Sequence, residues 1–450
     1  MKDSTSRSFL DRSSRRRFLG WAAAWPAHGG QAVRRVFVIP NFHPASCGWL
    51  TDFSKERVYC ANSYFDHLDR VALDPHYNFV LSECNNLIAM MNFKPERMAE
   101  LRRRIREGRV ELVNAFFLES TINLSGGEAL VRLGLEGLRW QQSVFGVRPR
   151  FGWTIDVCGT HQQMAQICSG LGLDAMVYTR LNPTGSALHW AESPDGSRML
   201  CISPGTYVEF KPLFAARQPL NEKELKELRD LVLAKEKITP AGAPIVILGG
   251  RGDYNLAPDY PGHPREFLAR WRAYAPDTEV KFTTLARYVD AVLPLIRSGK
   301  VKLPAMRGGT GYSHLAFWFQ NPRTKQWFRR NEHALYSAEA LATAASLSTS
   351  MAYPAKELYG CWLQMFLNMD RNTLWGAAGG MVFEHPQSWD ARDRYEAVER
   401  TAAQMQQSAS RALAAQDAGL TLFNTLTWPR TSPSLPVSYT HLTLPTIYSV

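Results

Sequence analysis

Two aspartates end apolar segments of this chain and are the first candidates for chemistry. Asp156 closes the segment 152–156, and Asp253 lies in the glycine-rich loop 249–254 beside Arg251. Two carboxylates in one cleft are what glycoside hydrolysis needs, one as nucleophile and one as proton donor, about 5 to 5.5 Å apart when anomeric configuration is retained. Two simpler interpretations stay open: Asp156 as a helix N-cap and 251–253 as a plain turn.

Three further titratable residues each follow an apolar segment near the start of the chain. His43 follows residues 36–40, Glu83 follows 79–82 and Glu119 follows 110–118. Because the carboxyl ends of parallel strands meet at one face, we expect these side chains to share a cleft with the aspartates. Aromatic residues near the same loops could stack on sugar rings or belong to the core; these are Trp49, Trp153, Tyr178, Trp190 and Tyr254.

The elements that must position these residues alternate between short apolar strands and amphipathic helices. The clearest helix covers 95–108, with Met98, Leu101 and Ile105 on one face and Gly108 as its C-terminal cap. Alternation of strand and helix predicts an α/β fold with a parallel sheet covered by helices, either open or closed into a barrel. The predicted strands are 36–39, 79–81, 110–113, 151–155, 175–178, 245–248 and 280–282.

The chain divides into four regions. Residues 1–30 form a basic leader, 34–320 the α/β region, 326–416 a helical region, and 420–450 the start of a β domain. In the helical region, three long Ala- and Leu-rich helices are predicted to pack as a bundle, at 326–350, 355–374 and 392–415. Residues 437–450 continue no recognisable pattern, so we expect a truncated β domain with a tail that is an unrelated read-through.

Composition excludes several classes of protein. The 450 residues are 45% hydrophobic and 21% charged, as in globular chains of two or three domains. No stretch approaches the roughly 20 consecutive apolar residues of a membrane helix. Of the net charge of +11, +4 lies in residues 1–30, and no basic stripe is interleaved with aromatic residues, which disfavours nucleic-acid binding. Seven scattered cysteines without a CxxC pair disfavour a disulfide framework.

The leader has the pattern of an export signal. Residues 14–20 read Ser-Arg-Arg-Arg-Phe-Leu-Gly, and a weakly apolar stretch with small residues follows at 21–27. This is typical of a bacterial twin-arginine signal peptide and predicts a periplasmic or extracellular protein. A disordered basic tail is the alternative interpretation.

Four motifs in order resemble the N-terminal catalytic domain of glycoside hydrolase family 38, the α-mannosidases. They are Val-Ile-Pro-Asn-Phe-His43 with Gly48-Trp49, Phe-Val-Leu-Ser-Glu83, the segment from 108 through Glu119 to 128, and Gly-Trp-Thr-Ile-Asp156. The resemblance runs from about residue 34 to about 430.

This resemblance implies a seven-stranded β/α barrel, a helical bundle and the beginning of a β-sandwich. It also implies a retaining mechanism with Asp156 as nucleophile and Asp253 as acid/base, acting on an oligosaccharide or glycan. The residues expected to bind substrate are Trp49, Glu83, Glu119, Trp153, Arg251, Tyr254 and Arg371.

The motifs depart from the family at the metal site. Family members typically hold one zinc ion through a His-x-Asp pair, the nucleophile and a late His-Asp pair. Here Ala45 stands in place of the first Asp, Arg371-Asn372 replaces the late pair, and a third family Asp is Thr121. Only His43 and Asp156 remain of four expected ligands, so zinc is doubtful. Either Arg371 supplies the positive charge, or a metal shell is rebuilt from residues such as His161, His385 and Asp370.

These observations predict an exported, α-mannosidase-like glycosidase that cleaves an α-linked sugar. The first alternative is a non-catalytic carbohydrate-binding relative. The second is a metal-dependent polysaccharide deacetylase, which would need several His and Asp ligands around a water-activating metal. Zinc content would separate the second alternative from the others, and the oligomeric state is left open.

Overall fold

The structure is a computed structural model that describes residues 33–44, 53–253, 256–375, 391–414 and 421–431. Several predicted features lie outside these residues: the leader, Ala45, Trp49, Tyr254, His385 and the tail after residue 431. Among the described residues, no helix combines the length and the apolar character that crossing a membrane would need.

Among the described residues, ten strands lie before residue 308. They are β1 (Arg34–Pro40), β2 (Phe79–Leu81), β3 (Val110–Leu112), β4 (Phe151–Thr154), β5 (Ala175–Tyr178), β6 (Leu188–Glu192), β7 (Arg198–Ile202), β8 (Ile245–Gly249), β9 (Thr278–Phe282) and β10 (Ala305–Arg307). All seven predicted strands are present. The β6–β7 hairpin and β10 were missed, although Asp195-Gly196, with Gly196 in the left-handed region (φ +86°), marks the hairpin turn.

Helices follow most of the strands. They are α1 (Phe53–Leu73), α2 (Cys84–Phe93), α3 (Met98–Arg106), α4 (Gly127–Phe145), α5 (Met164–Gly170), α6 (Lys211–Phe214), α7 (Glu222–Ile238), α8 (Arg265–Tyr274), α9 (Leu285–Arg297), α10 (Leu315–Phe319), α11 (Pro322–Ser348), α12 (Ala355–Asn368), α13 (Arg371–Trp375) and α14 (Ala391–Leu413). The predicted helix at 95–108 is confirmed. A 3₁₀ turn precedes α3, the three predicted apolar residues are buried, and Gly108 has φ +67°.

The strands form three ladders: β8-β1-β9, β2-β3 and β10-β6-β7-β5-β4. Every pairing is parallel except β6 with β7. Single bridges join the ladders, from Asn41 to Val80, from Asn114 to Phe151 and from Glu209 to Gly249. The predicted α/β class is confirmed. The described strands do not form one continuous closed ladder, so the seven-stranded barrel is not established by the pairing.

The interior of the strand layer is apolar and includes an indole that the sequence analysis assigned to substrate. Side chains from β1, β4, β5 and β8 form one buried cluster, in which Trp153 is 1% exposed. Strands buried on both faces read as continuous apolar runs, because helices cover a parallel sheet from outside.

The helical region packs directly on the α/β region. The helices α11, α12 and α14 contact one another. A single buried cluster joins side chains that follow β3 to side chains of the helical region, with the rings of Phe117 and Phe366 6.0 Å apart. This packing brings the start of α13 against the carboxyl ends of the strands, where the titratable residues lie.

Candidate active site

Five predicted site residues meet at the carboxyl ends of the first four strands. His43 follows β1, Glu83 follows β2 and precedes α2, Glu119 follows β3, and Asp156 follows β4, while Arg371 comes from the first residue of α13. Asp156 keeps 15% of its side chain exposed, whereas the other four are at most 2% exposed. The arrangement is therefore a buried charged cluster with one carboxylate open to solvent.

The guanidinium of Arg371 lies at the centre of this cluster. Its Nε lies 3.2 Å from Glu119 Oε2 and 3.4 Å from Asp156 Oδ2. Its NH1 donates to Glu83 Oε1 at 3.2 Å and lies 3.6 Å from Asp370 Oδ2. Its NH2 lies 2.8 Å from His43 Nε2 and donates to the Pro44 carbonyl. All three nitrogens of the planar guanidinium face acceptors. The single ammonium group of a lysine could not reach acceptors in so many directions.

Backbone pairing positions Arg371. An antiparallel bridge joins Ser120 to Asp370, and the amide of Arg371 donates to the Glu119 carbonyl at 3.3 Å. The Thr121 amide donates to the Met369 carbonyl at 3.0 Å, and its hydroxyl donates to the Arg371 carbonyl at 3.3 Å. Thr121, one of the departures from the family pattern, thus helps to hold the segment that carries Arg371.

Asp370 caps the short helix that begins at Arg371. Its Oδ1 accepts from the amide of Asn372 at 2.9 Å and from the amide of Thr373 at 3.3 Å. These are amides that a helix of this kind leaves without partners in its first turn. Asn372, the second residue of the altered late motif, is therefore part of a capped helix start.

Both oxygens of Asp156 face positive charge. Oδ2 lies beside His43 Nε2 and Arg371 Nε, whereas Oδ1 accepts from Arg180 Nε at 2.7 Å and also from Arg180 NH2. Burial opposes ionisation of this carboxyl, but His43, Arg371 and Arg180 outweigh it and hold its pKa well below the usual range. Asp156 is consequently an anion at neutral pH.

Arg180 was not predicted from the sequence. It lies two residues after β5, at the same kind of strand end as the other site residues, so that position was an available signal. Its side chain is 31% exposed, so this partner of Asp156 is partly open to solvent.

Burial acts against ionisation at two acids beside Arg371. It raises the pKa of Glu83 to about 8 and that of Asp370 to about 7, although Arg371 opposes the rise in both. Both shifts favour the protonated form and so limit the negative charge around the single guanidinium.

Nε2 of His43 faces both a guanidinium and a carboxylate. It lies 2.8 Å from Arg371 NH2 and 3.2 Å from Asp156 Oδ2. Nδ1 lies 3.7 Å from Glu119 Oε2. The ring stacks at a tilt against Tyr207, with centroids 4.4 Å apart.

Asp253 lies near the same nitrogen of His43 as Asp156. Its Oδ1 is 4.0 Å from His43 Nε2, the two residues form a parallel bridge, and its side chain is 34% exposed. Asp156 Oδ2 is 3.2 Å from the same nitrogen, so these carboxylate oxygens are separated by at most the sum of 3.2 and 4.0 Å. That limit accommodates the spacing of about 5 to 5.5 Å used by retaining glycosidases.

A cleft opens beside the two aspartates. It has a volume of about 360 Å³ and is lined by Thr179, Arg180, Gly205, Thr206, Tyr207 and Val208. Since Arg180 binds Asp156 and Tyr207 contacts His43, the cleft adjoins the charged cluster directly.

Several predicted substrate contacts need correction. The Trp153 indole is buried in the core, and Glu83 and Glu119 are buried against Arg371, so none of the three is open to a ligand. Arg371 is itself completely buried and acts through its neighbours. Sequence alone could not separate these roles, because a polar residue at a strand end can point into the layer or out of it.

The remaining candidates lie elsewhere in the structure. Tyr178 is buried and bonded to His189 at 2.7 Å, and Trp190 packs beneath Arg198 on the hairpin. Burial raises the pKa of Asp66, and Arg251 lies close enough to oppose part of that rise. His161 accepts from the Gln163 amide at 3.1 Å and lines a second cleft with Lys325 and Arg329.

The described residues do not fit a zinc ion. His43 Nε2 and Asp156 Oδ2 lie 3.2 Å apart, close to the edge of a zinc tetrahedron of about 3.4 Å. However, Arg371 NH2 is 2.8 Å from that nitrogen, in the space where zinc would bind at about 2.0 to 2.1 Å. Within the described ranges, no group of three His, Cys, Asp or Glu residues could hold a metal.

A family model and two relatives of known name match most of the described α/β region. Residues 34–299 match the family model of the glycosyl hydrolases family 38 N-terminal domain. The chain is 24% identical over 403 residues to an α-mannosidase of Saccharomyces cerevisiae, which covers 84% of this chain and 35% of the yeast protein. It is 26% identical over 425 residues to α-mannosidase 2C1 of Mus musculus, covering 90% of this chain and 38% of the mouse protein.

A solved structure shares the fold. The crystal structure of an α-mannosidase from Enterococcus faecalis V583 superposes with a TM-score of 0.72 at 19% identity, covering 84% of this chain and 42% of that one. The chain thus spans little more than a third of the length of the curated relatives cited here.

Proposed function

Because the chain belongs to glycosyl hydrolase family 38, whose N-terminal domain it matches over residues 34–299, we propose that it cleaves α-linked sugars with retention, α-mannosides first among them. The relatives named α-mannosidase support this substrate class. The proposal rests on Asp156, an ionised and partly exposed carboxylate. Its Oδ2 lies 3.2 Å from His43 Nε2, and Asp253 Oδ1 lies 4.0 Å from the same nitrogen.

In the first step, Asp156 is the nucleophile. An oxygen of its carboxylate bonds to the anomeric carbon while the glycosidic C–O bond breaks, and Asp253 transfers a proton to the departing oxygen. In the second step, Asp253 removes a proton from water, the water oxygen bonds to the anomeric carbon, and Asp156 leaves as a carboxylate. Oδ1 is the attacking oxygen, because Oδ2 faces the buried Arg371.

The two arginines have different roles in this proposal. Arg371 does not reach the cleft, so it positions Asp156 and keeps it ionised. Arg180 lies at the cleft and shares Oδ1 with the incoming sugar. No step needs a metal, since the positive charge beside the nucleophile comes from side chains. We further propose that the bridged ladders act as the β/α barrel of the family, with the cleft at its carboxyl-terminal face.

One observation favours a second function. Both oxygens of Asp156 are paired with guanidinium groups, which stabilises the anion and lowers its nucleophilicity. A site of this kind could bind a carbohydrate without cleaving it. The deacetylase alternative gains no support, since the described residues include no three-ligand metal group.

Hydrolysis of aryl α- and β-glycosides by the full chain tests the proposal. We expect turnover of an α-mannoside that falls at least about 10³-fold in Asp156→Asn, because the variant lacks the nucleophile. Asp230→Asn, which changes an exposed aspartate of α7, is the matched control and should keep full activity. Sugar binding without turnover on any substrate would favour the second function, and unchanged activity of Asp156→Asn would exclude Asp156 as nucleophile.

A further inference from the structure

The charged cluster has the composition of a metal site but contains a side-chain cation. Glu83, Glu119, Asp156 and Asp370 place carboxyl oxygens 3.2 to 3.6 Å from nitrogens of Arg371, and His43 places Nε2 at 2.8 Å. Carboxylates and imidazole are the oxygen and nitrogen ligands of divalent cations in proteins. Here their common partner is a guanidinium.

Two of these atoms have a spacing that suits ligands of a single cation. His43 Nε2 and Asp156 Oδ2 lie 3.2 Å apart, and they face Arg371 at 2.8 Å from NH2 and 3.4 Å from Nε. Arg371 is completely buried.

We propose that the guanidinium of Arg371 takes the place of a divalent metal in this site, and that without it the same residues can close around a zinc ion, which they cannot hold in their present places. The proposal concerns the site to which the proposed function assigns the nucleophile and rests on that function for the role of Asp156. Zinc binding can be measured without turnover, so the two proposals can fail separately.

The geometry explains why the two cations exclude each other. Zinc would lie about 2.0 to 2.1 Å from His43 Nε2, which is closer than the 2.8 Å at which Arg371 NH2 already lies. Two cations in one buried site would also repel strongly in the low dielectric of the interior. The backbone of Arg371 is held by hydrogen bonds with Glu119 and Thr121, and its guanidinium is held by Glu83, Glu119 and the Pro44 carbonyl, so the cation stays in the site.

The test compares zinc retention by the full chain in wild type, Arg371→Ala and Arg180→Ala. Each protein is equilibrated with zinc, passed through gel filtration and analysed for bound metal. We expect no stoichiometric zinc in wild type and about one zinc per chain in Arg371→Ala. Arg180→Ala is the matched control, because it also removes a guanidinium from Asp156 but leaves Arg371 in place, and it should retain none.

Two further variants keep the test decisive. If Arg371→Ala does not fold, Arg371→His removes the guanidinium while adding an imidazole ligand, and zinc should raise its melting temperature but not that of wild type. In Arg371→Ala, adding His43→Ala should abolish zinc retention. Stoichiometric zinc in wild type that is lost in His43→Ala would overturn the proposal, as would a folded Arg371→Ala or Arg371→His that binds no zinc.

Discussion

Replacing Arg371 with methionine removes the charge of the central guanidinium and fills most of its volume. At an effective dielectric constant near 20, a unit charge pair at 3.4 Å, the distance from Arg371 Nε to Asp156 Oδ2, interacts by about 5 kcal/mol. Protonation of the neighbouring acids and the desolvation of Arg371 itself offset part of this. Removing one partner of a buried ion pair typically costs about 3 to 5 kcal/mol. We expect a loss of that size in the free energy of unfolding at pH 8.

The loss should depend on pH in a defined direction. Burial already raises the pKa of Glu83 to about 8 and that of Asp370 to about 7 against the opposing effect of Arg371, and without Arg371 these values rise further. The folded variant then holds protons that the unfolded chain releases above about pH 4. A folded state that binds more protons than the unfolded state loses stability as pH rises. The deficit of Arg371→Met should therefore be smaller at pH 5 than at pH 8.

Urea unfolding of wild type and Arg371→Met at both pH values measures this difference. Arg330→Met is the control, since Arg330 is 61% exposed and pairs with Glu399 at 3.4 Å, and exposed pairs contribute about 0 to 1 kcal/mol. An equal deficit for Arg371→Met at pH 5 and pH 8 would refute the electrostatic reasoning. A deficit no larger than that of the control would refute the assignment of Arg371 as a stabilising buried cation.

Two further predictions concern Asp156 and the helix α4. Arg180→Gln removes one of the groups that lower the pKa of Asp156, so the acidic limb of the pH profile of kcat/KM should move to higher pH, and an unmoved limb would contradict the pairing. Gly137→Ala should cost about 1 to 3 kcal/mol in urea unfolding, because its Cβ would lie 2.2 Å from the Ala115 carbonyl oxygen. Gly360→Ala, in α12 with open space around its Cβ, should instead stabilise by about 0.5 to 1 kcal/mol, and similar effects of the two substitutions would show that the close packing of α4 is not limiting.

The sequence by itself determined the order of strands and helices and the family. Apolar runs bounded by Gly, Pro and polar residues are local signals, so β1, β2, β3, β4, β5, β8 and β9 were all predictable. The presence of His43, Glu83, Glu119 and Asp156 at strand ends followed from the same pattern, because parallel strands bring their carboxyl ends together. The order of these motifs also identified the family to which residues 34–299 belong.

Only the tertiary structure decided what those side chains do. Arg371 contacts Glu83 across 288 positions and His43 across 328, and no local pattern reports a contact over such a separation. Burial then changes the contacts: Glu83 and Glu119 hold a guanidinium, Trp153 packs in the core, and Arg180 pairs with Asp156. The physical reason is that strand periodicity is a property of neighbouring residues. Burial, and with it the charge state of each acid, depends on which distant segments pack against it.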